Sequence, residues 1–271
     1  MNEKSASVKS DLLDQARRGQ VITTRDDQGE FMDFLDAAKT TRRHGGRLRL
    51  VDSGRFSLSE LEWLAGSGAD IYTSDDARAN RTELDLLARA CGKGSGVIAY
   101  FHSGALTEGP AEEVSSWGFL REIGRSRVDV HLSNRESPRD LASLAEVADA
   151  CRKAAARLVF YHHGRLEDGL VPLARTGGWI HLSDLTLEED VGGASLGDLV
   201  QWSSAAGSGV VLHVERGVAV DALEALLRAG AFLVFNTLPS DRRSRLGMVE
   251  EQARRRKPDR RSYYLHTAVL P

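Results

Sequence analysis

Histidines occur at the ends of five short apolar runs in this chain. The runs are VIAYFHS (97–103), VDVHLS (128–133), RLVFYHH (157–163), WIHLSD (179–184) and VVLHVE (210–215), and together they hold six of the eight histidines. Imidazole nitrogens are good ligands for Zn, Mn or Fe, and a bound divalent metal activates water and polarises a carbonyl or phosphoryl oxygen. We therefore expect a divalent metal, held by histidines at these ends.

The alternation of apolar and polar residues indicates which histidines face the same way. In VDVHLS, the apolar residues alternate with Asp129, His131 and Ser133, and the same spacing recurs around His181 and His213. Successive side chains of a strand point to opposite faces, so these histidines share the polar face. The predicted metal ligands are His102, His131, His181 and His213.

Acidic and further imidazole groups adjoin the predicted ligands. Asp184 ends the fourth of the five runs, Glu215 ends the fifth, and the third carries the pair His162 and His163. Carboxylates and imidazoles are the usual general acids and bases. We predict Asp184, Glu215 and His163 as catalytic groups, although alternation leaves open whether His162 or His163 faces the site.

Three residues are predicted to contact substrate. Ser195 lies in VGGASLGD (191–198), where a glycine pair at a helix start offers free amides to a phosphate; an ordinary loop with Ser195 as helix cap is the alternative. Asn236 ends the last apolar run, and Arg242 opens an arginine-rich segment. The predicted substrate is a small polar molecule, with or without a phosphate group.

A regular alternation of strands and helices must position these groups. Eight strand-like runs follow residue 46, each with a polar end and a helical segment after it: RLRLVDS, DIYTSD, VIAYFHS, VDVHLS, RLVFYHH, WIHLSD, VVLHVE and FLVFNT. Such alternation predicts parallel pairing, and eight units predict a single (β/α)8 barrel of the TIM type. Polar strand ends then lie at its C-terminal mouth, where barrel enzymes carry their active sites.

The flanking segments complete the predicted domain. Residues 1–46 are expected to form an extension of helix, short strand and helix that covers the barrel, which spans 47–241. Residues 242–271 are expected to add a basic final helix and tail to the same domain. Segment 242–261 holds nine Arg or Lys against three Asp or Glu, so a nucleic-acid partner is an alternative to a solvated helix, which we favour.

Composition excludes several classes of protein. The chain is 41% hydrophobic and 28% charged, typical of a globular protein, and its two cysteines do not suggest a disulfide framework. The first residues lack the apolar core of a signal peptide, and no apolar run approaches membrane-spanning length. We predict a cytoplasmic protein without membrane contact.

The leading functional prediction is a metal-dependent hydrolase of phosphoesterase or amidohydrolase type. Amidohydrolases and the PHP phosphoesterases are similar in building metal sites from His and Asp at barrel strand ends, but the HxH usual on their first strand is absent from LRLVDSG. That absence favours an alternative, a noncatalytic barrel that binds a ligand or partner. Metal-free acid/base catalysis by a lyase or isomerase is a further alternative.

Overall fold

Nine strands alternate with helices along the chain. The computed structural model describes residues 11–106, 116–187, 194–215, 218–235 and 241–262. The strands are β1 (Val21–Arg25), β2 (Arg47–Val51), β3 (Asp70–Ser74), β4 (Ile98–His102), β5 (Asp129–Ser133), β6 (Leu158–Tyr161), β7 (Trp179–Ser183), β8 (Val210–Val214) and β9 (Phe232–Phe235). After α1 (residues 11–17), the helices are α2 (Phe31–Arg43), α3 (Leu58–Gly66), α4 (Arg81–Gly94), α5 (Ser116–Arg125), α6 (Leu141–Lys153), α7 (Leu170–Arg175), α8 (Ala194–Ala205), α9 (Val220–Ala229) and α10 (Arg245–Arg255).

The strands form one parallel sheet in chain order. Each strand from β1 to β8 pairs with its successor, and each connection passes through a helix or a helical turn. Val51 of β2 and Val234 of β9 belong to the same internal apolar cluster, so the sheet curls back towards its own start. The predicted α/β barrel architecture is confirmed.

The sheet contains one strand more than the eight units counted after residue 46. VITTR forms β1 and pairs with β2 from Val21 opposite Arg47 to Arg25 opposite Val51, so the N-terminal segment contributes to the sheet itself. Within the described residues, no strand pairing joins β9 to β1. The domain boundaries at residues 46 and 242 stay a prediction.

Alternation along each strand separates two cores. Val130 and Leu132 of β5 are fully buried in the layer between sheet and helices, whereas Val159 and Tyr161 of β6 lie in the smaller cluster on the inner face. Burying a side chain of this size contributes about 1.5–3 kcal/mol, so the pattern resists a one-residue slip in register. None of the described helices is both long and apolar enough to cross a membrane.

A clamp recurs four times at the C-terminal ends of the strands. In each case a side chain just after one strand accepts a hydrogen bond from a backbone N–H just beyond the next strand. The four bonds are Ser53 N to Asp26 Oδ2 (3.0 Å), Ser103 N to Asp75 Oδ1 (3.0 Å), His163 N to Asn134 Oδ1 (2.8 Å) and Glu215 N to Asp184 Oδ1 (3.0 Å). The clamps group the strands as β1–β2, β3–β4, β5–β6 and β7–β8. They satisfy backbone donors where the sheet ladder ends, and so they position the rim.

Candidate functional site

Four aromatic rings from neighbouring strands meet inside the barrel. His131 Nδ1 lies 3.2 Å from Tyr161 Oη, and His181 Nδ1 lies 3.1 Å from His213 Nε2. The rings of Tyr161 and His181 join the two pairs, with centroids 4.7 Å apart. We call these four residues, which come from β5, β6, β7 and β8, the ring cluster. Each has at most 2% of its surface exposed.

Burial keeps the imidazoles of the ring cluster neutral. Desolvation lowers the pKa of His131 to about 3 and that of His181 well below its ordinary value. Burial also lowers the pKa of His213, to about 4, although the nearby carboxylate of Glu215 opposes this shift. A neutral imidazole has one N–H donor and one acceptor nitrogen, so these rings can exchange protons or ligate a metal.

At the N-terminal end of β5, the buried polar residue is part of an ion pair. Asp129 is fully buried, and Arg261 donates hydrogen bonds to both of its carboxylate oxygens, at 2.7 and 2.5 Å. The backbone N–H of Arg157 adds a third bond at 2.9 Å. A carboxylate paired in this way is structural, so Asp129 anchors the C-terminal segment beneath the ring cluster.

His102 lies apart from the ring cluster. On β4 it follows Ile98 and Tyr100, which belong to the helix-facing core, and its ring stacks on Tyr100 at 6.2 Å between centroids. Its Nδ1 lies 3.2 Å from Asp75 Oδ2. Burial lowers the pKa of His102 more than Asp75 raises it. The structure therefore joins three of the four predicted metal ligands and places the fourth in a separate His–Asp pair.

The two histidines after β6 lie in different environments. His162 is buried, with its Nε2 2.7 Å from the carbonyl oxygen of Arg165 and its ring tilted against Phe160. His163 is half-buried, and its backbone N–H is the one held by the Asn134 clamp. Burial and the charge of Arg135 lower its pKa. His163 is the more exposed of the two, and its catalytic role stays a prediction.

The two predicted catalytic carboxylates differ in their surroundings. Asp184 is 6% exposed and accepts hydrogen bonds from the backbone N–H of Glu215 with both oxygens, at 3.0 and 3.1 Å. Three other strand ends contain the same clamp, so Asp184 helps to fix the rim, and its catalytic role stays a prediction. Glu215 itself is only half-buried and lies directly beyond His213. It is therefore the more accessible acid/base group.

Two of the three predicted substrate-binding residues lie within the described residues, and both are exposed. Ser195 is exposed at the start of α8, and Arg242 is exposed between β9 and α10. Asn236 lies outside the described residues. Neither of the two described residues, Ser195 and Arg242, has a recorded hydrogen bond to the ring cluster.

Part of the basic segment 242–261 is used within the fold. Arg245 pairs with Asp221 at 2.5 Å and with Glu224 at 2.7 Å. Arg261 is engaged by Asp129, and Arg255 by Glu251 at 3.2 Å. These partners reduce the positive charge that the segment presents to a nucleic acid.

The predicted metal ligands can be compared with the geometry of known metal sites. Within the described ranges, no group of three His, Cys, Asp or Glu is arranged to hold a metal ion. His181 Nδ1 and His213 Nε2 are nevertheless 3.1 Å apart, close to the spacing of about 3.4 Å expected for two nitrogen ligands of one tetrahedral ion. A metal held by these histidines stays a prediction.

Ion pairs build the other side of the rim, above β2 to β4. Asp52, whose side chain is fully buried, accepts hydrogen bonds from Thr73 Oγ1 at 2.8 Å and Arg78 Nε at 2.7 Å. Arg78 also pairs with Glu83 at 3.2 Å. Burial lowers the pKa of the Arg78 guanidinium, but its two acidic partners raise it further than burial lowers it. The charges of Asp52, Arg78 and Glu83 are therefore matched within the fold.

Sequence reasoning missed Tyr161, which connects the ring cluster. The interstrand register places Tyr161 opposite Ser133 on one side and opposite His181 on the other. Alternation would have found it, because Tyr161 is two residues from the inward Val159. Attention to the histidines that follow Tyr161 obscured this signal.

Comparisons with known proteins show only distant likenesses. No protein-family model matches the chain, and no curated protein matches it in sequence. One similar solved structure is a mandelate racemase/muconate lactonizing protein from Herpetosiphon aurantiacus, with 13% identity over 78% of this chain and 51% of that one and a TM-score of 0.37. A second is a tryptophan synthase complex from Pyrococcus furiosus, with 15% identity over 77% of this chain and 92% of that one and a TM-score of 0.35. A third is a deoxyribose phosphate aldolase from Aeropyrum pernix, with 12% identity over 93% of this chain and 98% of that one and a TM-score of 0.34. The chain spans about half the length of the first. Likenesses of this strength carry no functional argument, which must come from the site.

Proposed function

We propose that this protein is an enzyme of isomerase or lyase type that transfers a proton to and from a small polar substrate at the barrel mouth. The observation that carries the proposal is the buried, hydrogen-bonded pair of His181 and His213, with the half-buried Glu215 two residues beyond His213 and close enough for its charge to act on that ring. This arrangement puts an accessible carboxylate next to a buried group that can itself accept and donate protons.

The chemistry divides between Glu215 and the imidazole pair. Glu215, just beyond the C-terminal end of β8, takes a proton from the substrate or returns it. His213 acts behind it as a second acid/base group, and its hydrogen bond to His181 spreads any developing positive charge over two rings. The buried surroundings strengthen these interactions, because the local dielectric constant is low.

The test is exchange of substrate hydrogen with solvent. A panel of small hydroxy acids, keto acids and sugar phosphates is incubated with the protein in D2O, and carbon-bound deuterium is followed by NMR. We expect the parent protein to label at least one compound and Glu215→Gln to slow the labelling by about 100-fold or more. The matched control is Glu167→Gln, at an exposed carboxylate in the loop after β6, which should leave the rate unchanged. Labelling by Glu215→Gln at the parent rate would contradict the proposal.

A metal-dependent hydrolase is the second candidate, because the 3.1 Å spacing of His181 Nδ1 and His213 Nε2 fits two ligands of one ion. Zn, Mn or Fe held there would supply an activated water for hydrolysis. Metal analysis of protein purified without chelator tests it, with the double variant His131→Ala/His181→Ala as comparison. Absence of stoichiometric metal from the parent protein would exclude this candidate.

Both candidates imply a small-molecule substrate, phosphorylated or not, and a cytoplasmic location remains part of the proposal. A noncatalytic barrel would instead bind a partner through the basic segment. In that case, removing the exposed charge of Arg242 and Arg243 would weaken partner binding, and changes in the ring cluster would not.

A further inference from the structure

A cavity of about 370 Å³ lies between β9, α10 and the inner face of β2. The described residues that line it are Arg49, Leu233, Val234, Phe235, Ala253, Arg254, Lys257 and Pro258. We call it the seam cavity, because β9 and the β1–β2 edge are the two ends of the sheet and no described strand pairing joins them. None of its lining residues belongs to the ring cluster or to the acid/base groups at the mouth.

Three cationic residues line the seam cavity, and they have few acidic partners among the described residues. Neither Arg49 nor Lys257 forms an ion pair with any described residue, and Arg254 has only Glu250 at 4.0 Å. The Nε of Arg49 is buried and donates no hydrogen bond to a described residue. Burying an unpaired donor is unfavourable, so an anion in the cavity would supply the acceptor that the described residues do not.

The rest of the lining is apolar. Leu233, Val234 and Phe235 follow one another along β9, and Pro258 and Ala253 approach from α10 and the residues after it. The volume lies in the range of small-molecule sites, which combine apolar walls with a few placed polar groups. A ligand that fits therefore has an apolar body and one multiply charged anionic end.

We propose that the seam cavity binds a small phosphate monoester with an apolar body. A phosphate dianion matches three cations better than a single carboxylate does, and Arg49 and Arg254 can donate to its oxygens through several N–H groups. Lys257 adds a point charge, while the apolar body packs on the side chains of β9. The seam cavity is separate from the proposed active site, so the binding proposal does not depend on the proposed function.

Calorimetric titration of the full-length protein with phenyl phosphate tests this inference, with inorganic phosphate as the probe that lacks an apolar body. We expect phenyl phosphate to bind with a Kd below about 1 mM and inorganic phosphate at least about tenfold more weakly. Arg49→Gln and Lys257→Gln should each weaken phenyl phosphate binding about tenfold. Lys257 is exposed, so its variant keeps the test valid if Arg49→Gln does not fold.

Arg255→Gln is the matched control. Arg255 lies next to Arg254 on α10 but is 78% exposed and pairs with Glu251. Its variant should bind phenyl phosphate within about twofold of the parent protein. The inference is overturned if the parent shows no binding at about 10 mM phenyl phosphate, if inorganic phosphate binds equally well, or if Arg255→Gln weakens binding as much as Lys257→Gln.

Discussion

The two halves of the barrel rim bury polar groups of different kinds. Above β2 and β3, the buried carboxylate of Asp52 is matched by the cation of Arg78. Inside β5 to β8, the buried polar groups that meet are the neutral rings of the ring cluster. Both halves use the same clamps at their strand ends, so the scaffold is shared and only the inner groups differ. A matched ion pair holds its protonation state, whereas neutral imidazoles can change theirs, and for that reason we place the chemistry in the second half.

Breaking the charged half should have the largest effect. Arg78→Met leaves the carboxylate of Asp52 buried beside Thr73 without its cation, and we expect a loss of about 3–5 kcal/mol in the free energy of unfolding. Urea denaturation at pH 7 measures it. Arg125→Met, which removes an exposed arginine paired with Glu122, should cost no more than about 1 kcal/mol. Equal losses in the two variants would remove the distinction between matched buried charges and surface pairs.

The neutral half should make stability depend on pH. The pKa of His213 is lowered from 6.5 to about 4, so below pH 6.5 the unfolded chain binds a proton that the folded protein does not. Stability is therefore fully present above pH 6.5 and falls as the pH drops towards 4. From pH 7 to pH 5, His213 alone should account for a loss of about 2 kcal/mol.

The variant His213→Phe measures this contribution. Urea denaturation at pH 7 and pH 5 should show a smaller loss on acidification in the variant than in the parent protein, by the same amount. His44→Phe, at an exposed histidine, should leave the loss as in the parent. An unchanged loss in His213→Phe would mean that this ring is not held neutral by burial.

Removing one hydroxyl from the ring cluster should have a moderate effect. Tyr161→Phe keeps the ring contact with His181 but removes the hydroxyl 3.2 Å from His131 Nδ1. Because both groups are neutral, the expected loss is about 1 kcal/mol. The measurement is urea denaturation at pH 7. A loss as large as that of Arg78→Met would mean that removing a neutral partner costs as much stability as removing a charged one, so the two halves would not differ in this respect.

The smallest effect should come from the clamps that both halves share. Asn134 already performs with an amide the role that Asp184 performs with a carboxylate. Asp184→Asn should therefore change the free energy of unfolding by no more than about 1 kcal/mol and should retain solvent exchange of substrate hydrogen. Loss of exchange in a stably folded Asp184→Asn would restore Asp184 as a catalytic group.

Much of the architecture could be predicted from local patterns. The eight strands after residue 46 and the parallel α/β arrangement follow from short apolar runs alternating with helical segments. A short strand is also predicted at VITTR, but its pairing with β2 depends on residues more than twenty positions away. The roles of Asp75 and Asp184 could not be read, because a clamp and a catalytic carboxylate have the same sequence signature.

By itself, the sequence determined which side chains of each strand share a face. Alternation is a property of the extended backbone, so His131, His181 and His213 had to point away from their apolar neighbours. Only the tertiary structure decided which of these side chains touch. Contact depends on the stagger between strands and the curl of the sheet, which place Tyr161 between His131 and His181 and leave His102 with Asp75. These are relations between segments distant along the chain, and no local pattern specifies them.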